Sequence, residues 1–245
     1  MENHTNHKTT YILVHGAWHG SWCWKRVRAV LQSAGHEVFT PTLTGLAERS
    51  HLNAPLIDLS THIADIVNLI TWEELSDVVL CGHSYAGCVI TGAANQIPDR
   101  IRALVFLDAF VLENGESFMD IVPPEIARAI RDQAEATGEG WKANPIPARL
   151  LGVRAPHDVA WVDRQCTPQA IRTLEERIKL TGNLERIQDI AYLFPTERHP
   201  NLRLSHERVK AKGWKIRTLD DSGHELMIDR PQELAEFLLE YAPTH

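Results

Sequence analysis

Paired cysteines are the plainest absence: four are spread over 245 residues, and none forms a C-x-x-C pair. Cys81 and Cys88 sit in or beside the apolar run around residue 84, and with Cys23 and Cys166 they read as reduced, structural thiols. That usage suits a cytoplasmic protein and argues against a disulfide scaffold. No apolar run approaches the roughly 18 residues that a membrane helix requires. The polar opening MENHTNHKTT has no signal-peptide core, so a soluble cytoplasmic protein without a membrane partner is the expectation. Positive charge is also scarce. With 25 Lys and Arg against 32 Asp and Glu, the net charge of -7 argues against nucleic acid, whose phosphates need basic faces. There is no G-x-G-x-x-G, and no G-K-[ST] follows Gly16 and Gly20, so a nucleotide phosphate loop is excluded. Internal repeats and low-complexity linkers are missing as well.

What is present is ordinary globular composition, 44% hydrophobic and 23% charged, in a chain long enough to bury a large core as one α/β domain. Short β-rich apolar runs alternate with amphipathic segments of helical length, the pattern of a parallel sheet covered by helices. The spacing predicts six strands: Tyr11–His15, Glu37–Thr40, Val78–Gly82, Ala103–Asp108, Ile190–Phe194 and Lys215–Leu219. Helices are expected over Ser21–Ser33, Leu59–Trp72, Tyr85–Gln96, Pro200–Lys212 and Pro231–Tyr241, the last capped by Asp229 with Pro231 in its first turn. The alternation breaks over 111–189, too long for a loop inside a compact domain. A helical cap inserted over the sheet's carboxyl edge is expected there, with 1–110 and 190–245 forming the core.

The run Val78-Val79-Leu80-Cys81-Gly82-His83-Ser84-Tyr85-Ala86-Gly87 contains G-x-S-x-G between an apolar strand and a helix. A serine at such a sharp turn adopts a strained backbone, and small residues two positions either side avoid clashing with it. The turn lifts the hydroxyl above the sheet and aims the following helix's N-terminus at developing negative charge. The bare motif occurs often by chance; its strand–turn–helix setting is what makes Ser84 the expected nucleophile. His83 reads as structural, and Tyr85 is expected to offer its backbone N–H to an oxyanion.

After the last predicted strand comes Asp220-Asp221-Ser222-Gly223-His224-Glu225. A histidine there, later in the chain than the serine, is the expected general base. Any one of the 13 histidines taken alone is more often structural; position singles out His224. The acid that orients its imidazole has two candidates. The loop after Ile190–Phe194 holds no Asp, only Glu197, whereas Val105-Phe106-Leu107-Asp108 ends a buried strand with a carboxylate. A charge there is costly unless paired, which favours Asp108. The plainer readings are an anchoring carboxylate for Asp108 and a solvated loop charge for Glu197. Asp220 and Asp221 read as turn residues.

The first strand is followed by His15-Gly16-Ala17-Trp18-His19-Gly20-Ser21-Trp22-Cys23-Trp24. An H-G-x turn here presents backbone N–H groups to a substrate oxygen, so Ala17 is the expected partner of Tyr85 in an oxyanion hole. His15 reads as a brace for the loop, Trp18 as a pocket residue, and Trp22 and Trp24 as packing for the helix they begin. Phe110, Met119, Trp141 and Trp161 are apolar candidates for a substrate pocket, with cap core as the equally weighted alternative; Phe110, Met119 and Trp161 are the expected pocket residues beside Trp18.

The segments VHGAWHGSWCW, PTLTGLAERSH, LCGHSYAG, VFLDAFV and DDSGHELMIDRP together resemble the plant methylesterase and hydroxynitrile lyase group of α/β-hydrolases, and more closely its bacterial esterase relatives. The likeness spans most of the core and is loose over 111–189. It implies an α/β-hydrolase fold with a mostly parallel six-stranded sheet and a helical cap. It also implies no cofactor, no metal, and a small-molecule carboxylic ester as substrate. The cyanohydrin-cleaving members of that group carry a Lys after the base and a Thr in the oxyanion loop, where this chain has Glu225 and Gly16. A carboxylate there repels cyanide, so the lyase alternative is disfavoured. The group's plant esterases place their acid where Glu197 stands, and that departure supports Asp108. Ester hydrolysis through an acyl-enzyme is the resulting expectation, with amide or carbamate cleavage by the same residues as the alternative. A non-catalytic binding protein on the same fold would need a degraded triad. The residues do not decide between a monomer and a homodimer.

Overall fold

A computed structural model describes residues 8–242, so most of the polar amino-terminal run lies outside the described residues. Its sheet strands are β1 (Thr10–Val14), β2 (Glu37–Phe39), β3 (Val78–His83), β4 (Ile101–Leu107), β5 (Asp189–Pro195) and β6 (Lys215–Leu219). They lie in the order β2-β1-β3-β4-β5-β6. Every neighbouring pair is parallel, so the mostly parallel sheet that was expected is parallel throughout. Each predicted strand forms to within a residue or two of its expected bounds.

Side-chain alternation along the inner strands feeds two cores. Ile12, Val14, Leu80 and Leu104 join one, and Tyr11, Leu13, Val79 and Val105 the other. The first is covered by α2 (Leu59–Trp72) and α3 (Ala86–Gln96) through Ile63, Ile66, Val89 and Ile90. Against the second lies α1 (Lys25–Ser33), through Val27 and Leu31. Asp58 begins α2 as a capping box, accepting from the Thr61 N–H at 2.9 Å.

Between β4 and β5 the chain builds α4 (Pro124–Thr137), α5 (Pro156–Gln165) and a two-residue antiparallel pairing of Lys142–Ala143 with Gln169–Ala170. This segment is tied to the loop after β1. Trp18 donates its backbone N–H to Gln169 Oε1 at 3.1 Å and its indole N–H to the Ala143 carbonyl at 3.0 Å. The Thr167 N–H returns a bond to the Trp18 carbonyl at 2.9 Å. After β5 come α6 (Arg203–Lys212), β6 and α7 (Pro231–Leu239), whose Leu234 and Leu238 complete the second core. No helix among the described residues is long and apolar enough to cross a membrane.

Candidate active site

Three loops at the carboxyl ends of β1, β3 and β6, with the tip of β4, meet over the middle of the sheet, where α/β folds place their ligands. Ser84 turns sharply out of β3 with φ 53, a left-handed conformation that costs a non-glycine residue energy and must be held from outside. Its carbonyl accepts from the N–H groups of Gly87 and Phe110, both at 3.0 Å, and its own N–H donates to the Leu107 carbonyl at 3.2 Å. Gly87 has a steric reason: a Cβ there would stand 2.2 Å from the Phe110 carbonyl oxygen. The elbow is therefore locked against the tip of β4, which carries Asp108.

Asp108 is fully buried, with φ 39, and its N–H donates to the Leu193 carbonyl at 2.9 Å. Its two oxygens are shared between two histidines. His224 Nδ1 donates to Oδ2 at 2.7 Å, and His206 Nε2, from α6, donates to Oδ1 at 2.9 Å. Burial alone would raise the carboxyl's pKa, but the hydrogen bonds from His206 and His224 outweigh it and hold it below the ordinary range. With Nδ1 committed to Asp108, Nε2 is the His224 ring nitrogen left free of that bond. Gly223, just before it, permits a close backbone approach: a Cβ would lie 2.8 Å from the Gly152 carbonyl oxygen. Glu197, the other acid candidate, points away. Its side chain is 64% exposed and ion-paired with Arg154 at 2.7 Å.

Ala17 and Tyr85 lie on either side of Ser84, on the β1 loop and at the start of α3, and neither backbone N–H donates within the described residues. His15 braces this loop as expected, donating from Nδ1 to the Gly16 carbonyl at 2.8 Å and accepting the Leu43 N–H on Nε2 at 3.0 Å. Burial pushes its pKa down to about 3, so the ring stays neutral. The Tyr85 phenol donates to His62 Nδ1 at 3.0 Å, since His62 Nε2 is committed as donor to the Thr44 carbonyl at 2.9 Å.

Ala17, Trp18, Ser84, Phe110 and His224 border one cavity of about 50 Å³. Phe118, Ile146 and Leu151 enclose it from the segment after β4, and His199, Asn201 and Leu202 from the segment after β5. Met119 and Trp161 stand apart from it. Met119 follows Phe118 on a helical turn, and neighbours on a helix point about 100° apart, so Phe118 faces the cavity while Met119 packs in the core. Trp161 lies edge-on to Trp22 at 5.2 Å, with the Arg26 guanidinium 5.2 Å above its ring, on the far side of the β1 loop. Trp141 packs beneath Lys142.

Sequence reasoning missed His206, the cavity wall from Phe118, Ile146, Leu151 and His199 to Leu202, and a buried pair below the β1 loop. There Glu225 lies 3.3 Å from His19 Nε2, and His19 Nδ1 is 2.7 Å from the Ala17 carbonyl. Burial disfavours charge on both groups. The Glu225 carboxylate nevertheless raises His19 well above the histidine range, and His19 holds Glu225 down at about 2. The only sequence signal for this pair was the charged residue beside the base.

Comparison with known proteins agrees with the fold. A profile described as the alpha/beta hydrolase family matches residues 11–237. The chain is 41% identical over 237 residues to a carbendazim hydrolyzing esterase of Nocardioides sp. (strain SG-4G), covering 93% of this chain and 97% of that protein. It is 26% identical over 266 residues to Methylesterase 3 of Arabidopsis thaliana, covering 96% of each. Among solved structures, an extracellular alpha/beta-hydrolase from a Paenibacillus species superposes with a TM-score of 0.83 at 24% identity, covering 96% of this chain and 100% of that one.

Proposed function

From the premise that this chain belongs to the alpha/beta hydrolase family, and is a carboxylic ester hydrolase like its named relatives, we propose that it is a serine esterase acting on small to medium esters through Ser84, His224 and Asp108. The observation that carries this reading is the Asp108–His224 hydrogen bond of 2.7 Å at the edge of a cavity that Ser84 also borders. His224 Nε2 takes the Ser84 proton as the hydroxyl attacks the ester carbonyl, and Asp108 stabilises the resulting imidazolium. The N–H groups of Ala17 and Tyr85 hold the oxyanion, the alcohol leaves with the proton, and water cleaves the acyl-enzyme. Segment 111–189 acts as the cap that limits substrate size, and Trp18, Phe110, Phe118 and Leu151 receive the acyl or alcohol group. Four unpaired thiols support a cytoplasmic location.

Carbamate ester cleavage is the second reading. The relative of 41% identity is named for hydrolysing carbendazim, a methyl carbamate, and the same residues would attack a carbamoyl carbon. Cyanohydrin lysis is disfavoured by the buried, charged Glu225 beside His224. A fluorophosphonate probe should label Ser84, and Ser84→Ala should abolish labelling and lower turnover of p-nitrophenyl esters by several orders of magnitude. Undiminished turnover in that variant would sink the assignment. Graded p-nitrophenyl esters, methyl esters and carbendazim, assayed side by side, decide between the two substrate classes. Cyanide release from mandelonitrile would revive the lyase.

A further inference from the structure

The mechanism above leaves His83 and Glu225 unused, although both are buried beside the triad. His83 Nε2 lies 2.9 Å from the His224 carbonyl oxygen. A carbonyl only accepts, so Nε2 carries the hydrogen and Nδ1 presents a bare lone pair. That nitrogen has no hydrogen-bond partner among the described residues, and burial, which pushes the ring down to about 3, keeps it neutral. Glu225 Oε2 is also buried without a well-directed hydrogen bond, although His19 Nε2 lies 3.3 Å away. His83 Nδ1 is thus a buried acceptor without a donor, and Glu225 Oε2, ion-paired with His19, keeps a further lone pair to offer.

Their side chains meet in one place. A ring nitrogen of His83, one of His224 and a carboxylate oxygen of Glu225 lie within 4.8 Å of one another. The same three residues, with Gly16, Ala17 and Ser84, border a recess of about 10 Å³, close to the smallest polar cavity that holds a single water. Gly16 keeps this space open: a Cβ there would stand 2.9 Å from His83 Nδ1 and 3.1 Å from Ser84 Cβ.

We propose that this recess binds one water molecule, which donates to His83 Nδ1 and Glu225 Oε2, and that this is the water consumed when the acyl-enzyme is hydrolysed. The proposal rests on the serine esterase reading. The water's oxygen bonds to the acyl carbon as one of its protons swings from His83 to His224 Nε2. The tetrahedral intermediate then collapses. The bond from the acyl carbon to Ser84 Oγ breaks, His224 returns the proton to Oγ, and the carboxylic acid leaves. Glu225 holds the second hydrogen throughout and is unchanged. It is a positioning residue that acts through the water, so it should matter to the second half-reaction more than to the first.

Burst kinetics with p-nitrophenyl acetate separate the two halves. In Glu225→Gln the ratio of acylation to deacylation rate constants should rise about tenfold or more. Acyl-Ser84 should accumulate by intact mass, and transfer to added methanol should gain on hydrolysis, because methanol is too large for the recess and arrives from the substrate side. His83→Gln should behave alike, since its amide nitrogen keeps the bond to the His224 carbonyl while no acceptor stands in the place of Nδ1. Gly16→Ala should repeat the effect by filling the space. A crystal structure of the unaltered protein should show a water within hydrogen-bond distance of both acceptors. Acylation and deacylation falling together in all variants that fold, or a metal ion at that position, overturns the proposal. Failure of the unaltered protein to form any acyl-enzyme would instead overturn the esterase reading on which it stands.

Discussion

The two walls of the cavity are built on different principles. Its floor, from Ala17, Ser84 and His224, hangs on short backbone-directed bonds: the Ser84 carbonyl accepts two N–H groups, and Asp108 is pinned by its own N–H and by two histidines. Its roof, from Phe118, Ile146 and Leu151, is positioned mainly by apolar packing, by the bonds of Trp18 to Gln169 and Ala143, and by exposed links such as Arg131 to Glu175 at 2.9 Å. Backbone bonds fix positions whatever the neighbouring side chains are, whereas packing is renegotiated with each substitution. The floor should therefore fail sharply when altered, and the roof gradually.

The sharpest break is expected at Asp108, the proposed acid. Asp108→Asn should lower kcat/KM by about 10⁴-fold, because an amide in place of the carboxylate favours the wrong imidazole tautomer. Glu197→Gln should stay within about twofold, since an exposed ion pair contributes little. Large losses in the second variant and small ones in the first would reverse the assignment. His206→Phe tests the other oxygen of Asp108 at similar volume. A lost hydrogen bond to a buried charge is worth about 1.5–3 kcal/mol, so activity should fall about ten- to a hundredfold. Removing that bond also raises the Asp108 pKa, so the acid limb of the kcat/KM profile should move to higher pH. A purely structural role for His206 would leave that limb in place.

The floor was legible in the sequence because each of its parts obeys a local rule. Ser84 was marked by small residues around an elbow, His224 by its place behind Gly223 after the last strand, and Asp108 by a carboxylate ending an apolar strand. His206 obeys no such rule. It sits among Leu204, Ser205 and Glu207 on an otherwise ordinary helix, and only the fold brings it 2.9 Å from Asp108. The roof was read least well for a related reason. Met119 and Trp161 are as apolar as Phe118 and Leu151, and composition does not say which face of a turn looks inward. The broken alternation over 111–189 predicts a helical insertion without giving its register against the site.

Acid sharpens the same contrast through histidines held neutral around the cavity. Burial lowers His15 and His83 to about 3 and His199 to about 4, against an ordinary value near 6.5. Below pH 6.5 the unfolded chain therefore binds protons that the folded chain refuses, so their contribution to stability is complete above that pH and is lost as pH falls toward 3–4. Glu225, held at about 2, adds a further loss below its ordinary 4.5. Melting temperature should drop steadily from pH 6.5 to 4, with hydrogen exchange loosening first in the loops around Gly16 and Ser84. An unchanged melting temperature over that range would mean these rings are not held neutral.

The roof gives the smallest effects and the most useful ones. Leu151 borders the cavity and lies within a segment whose backbone touches Gly223. Leu151→Ala removes apolar surface where substrate would pack, so the preferred acyl chain should lengthen by a carbon or two. Discrimination of one methylene in an apolar pocket is worth only about 1–3 kcal/mol, which bounds the shift in relative kcat/KM to roughly 10–200-fold. The cost should fall on KM more than on kcat, because Ser84, His224, Asp108 and the proposed donors Ala17 and Tyr85 are untouched. Trp161→Phe, on the far side of the β1 loop against Trp22 and Arg26, should leave chain-length preference unchanged and lower only stability. If Trp161→Phe altered selectivity while Leu151→Ala did not, the roof would be formed by α5 rather than by the chain before it, and the cavity's boundary would have to be redrawn around Trp22.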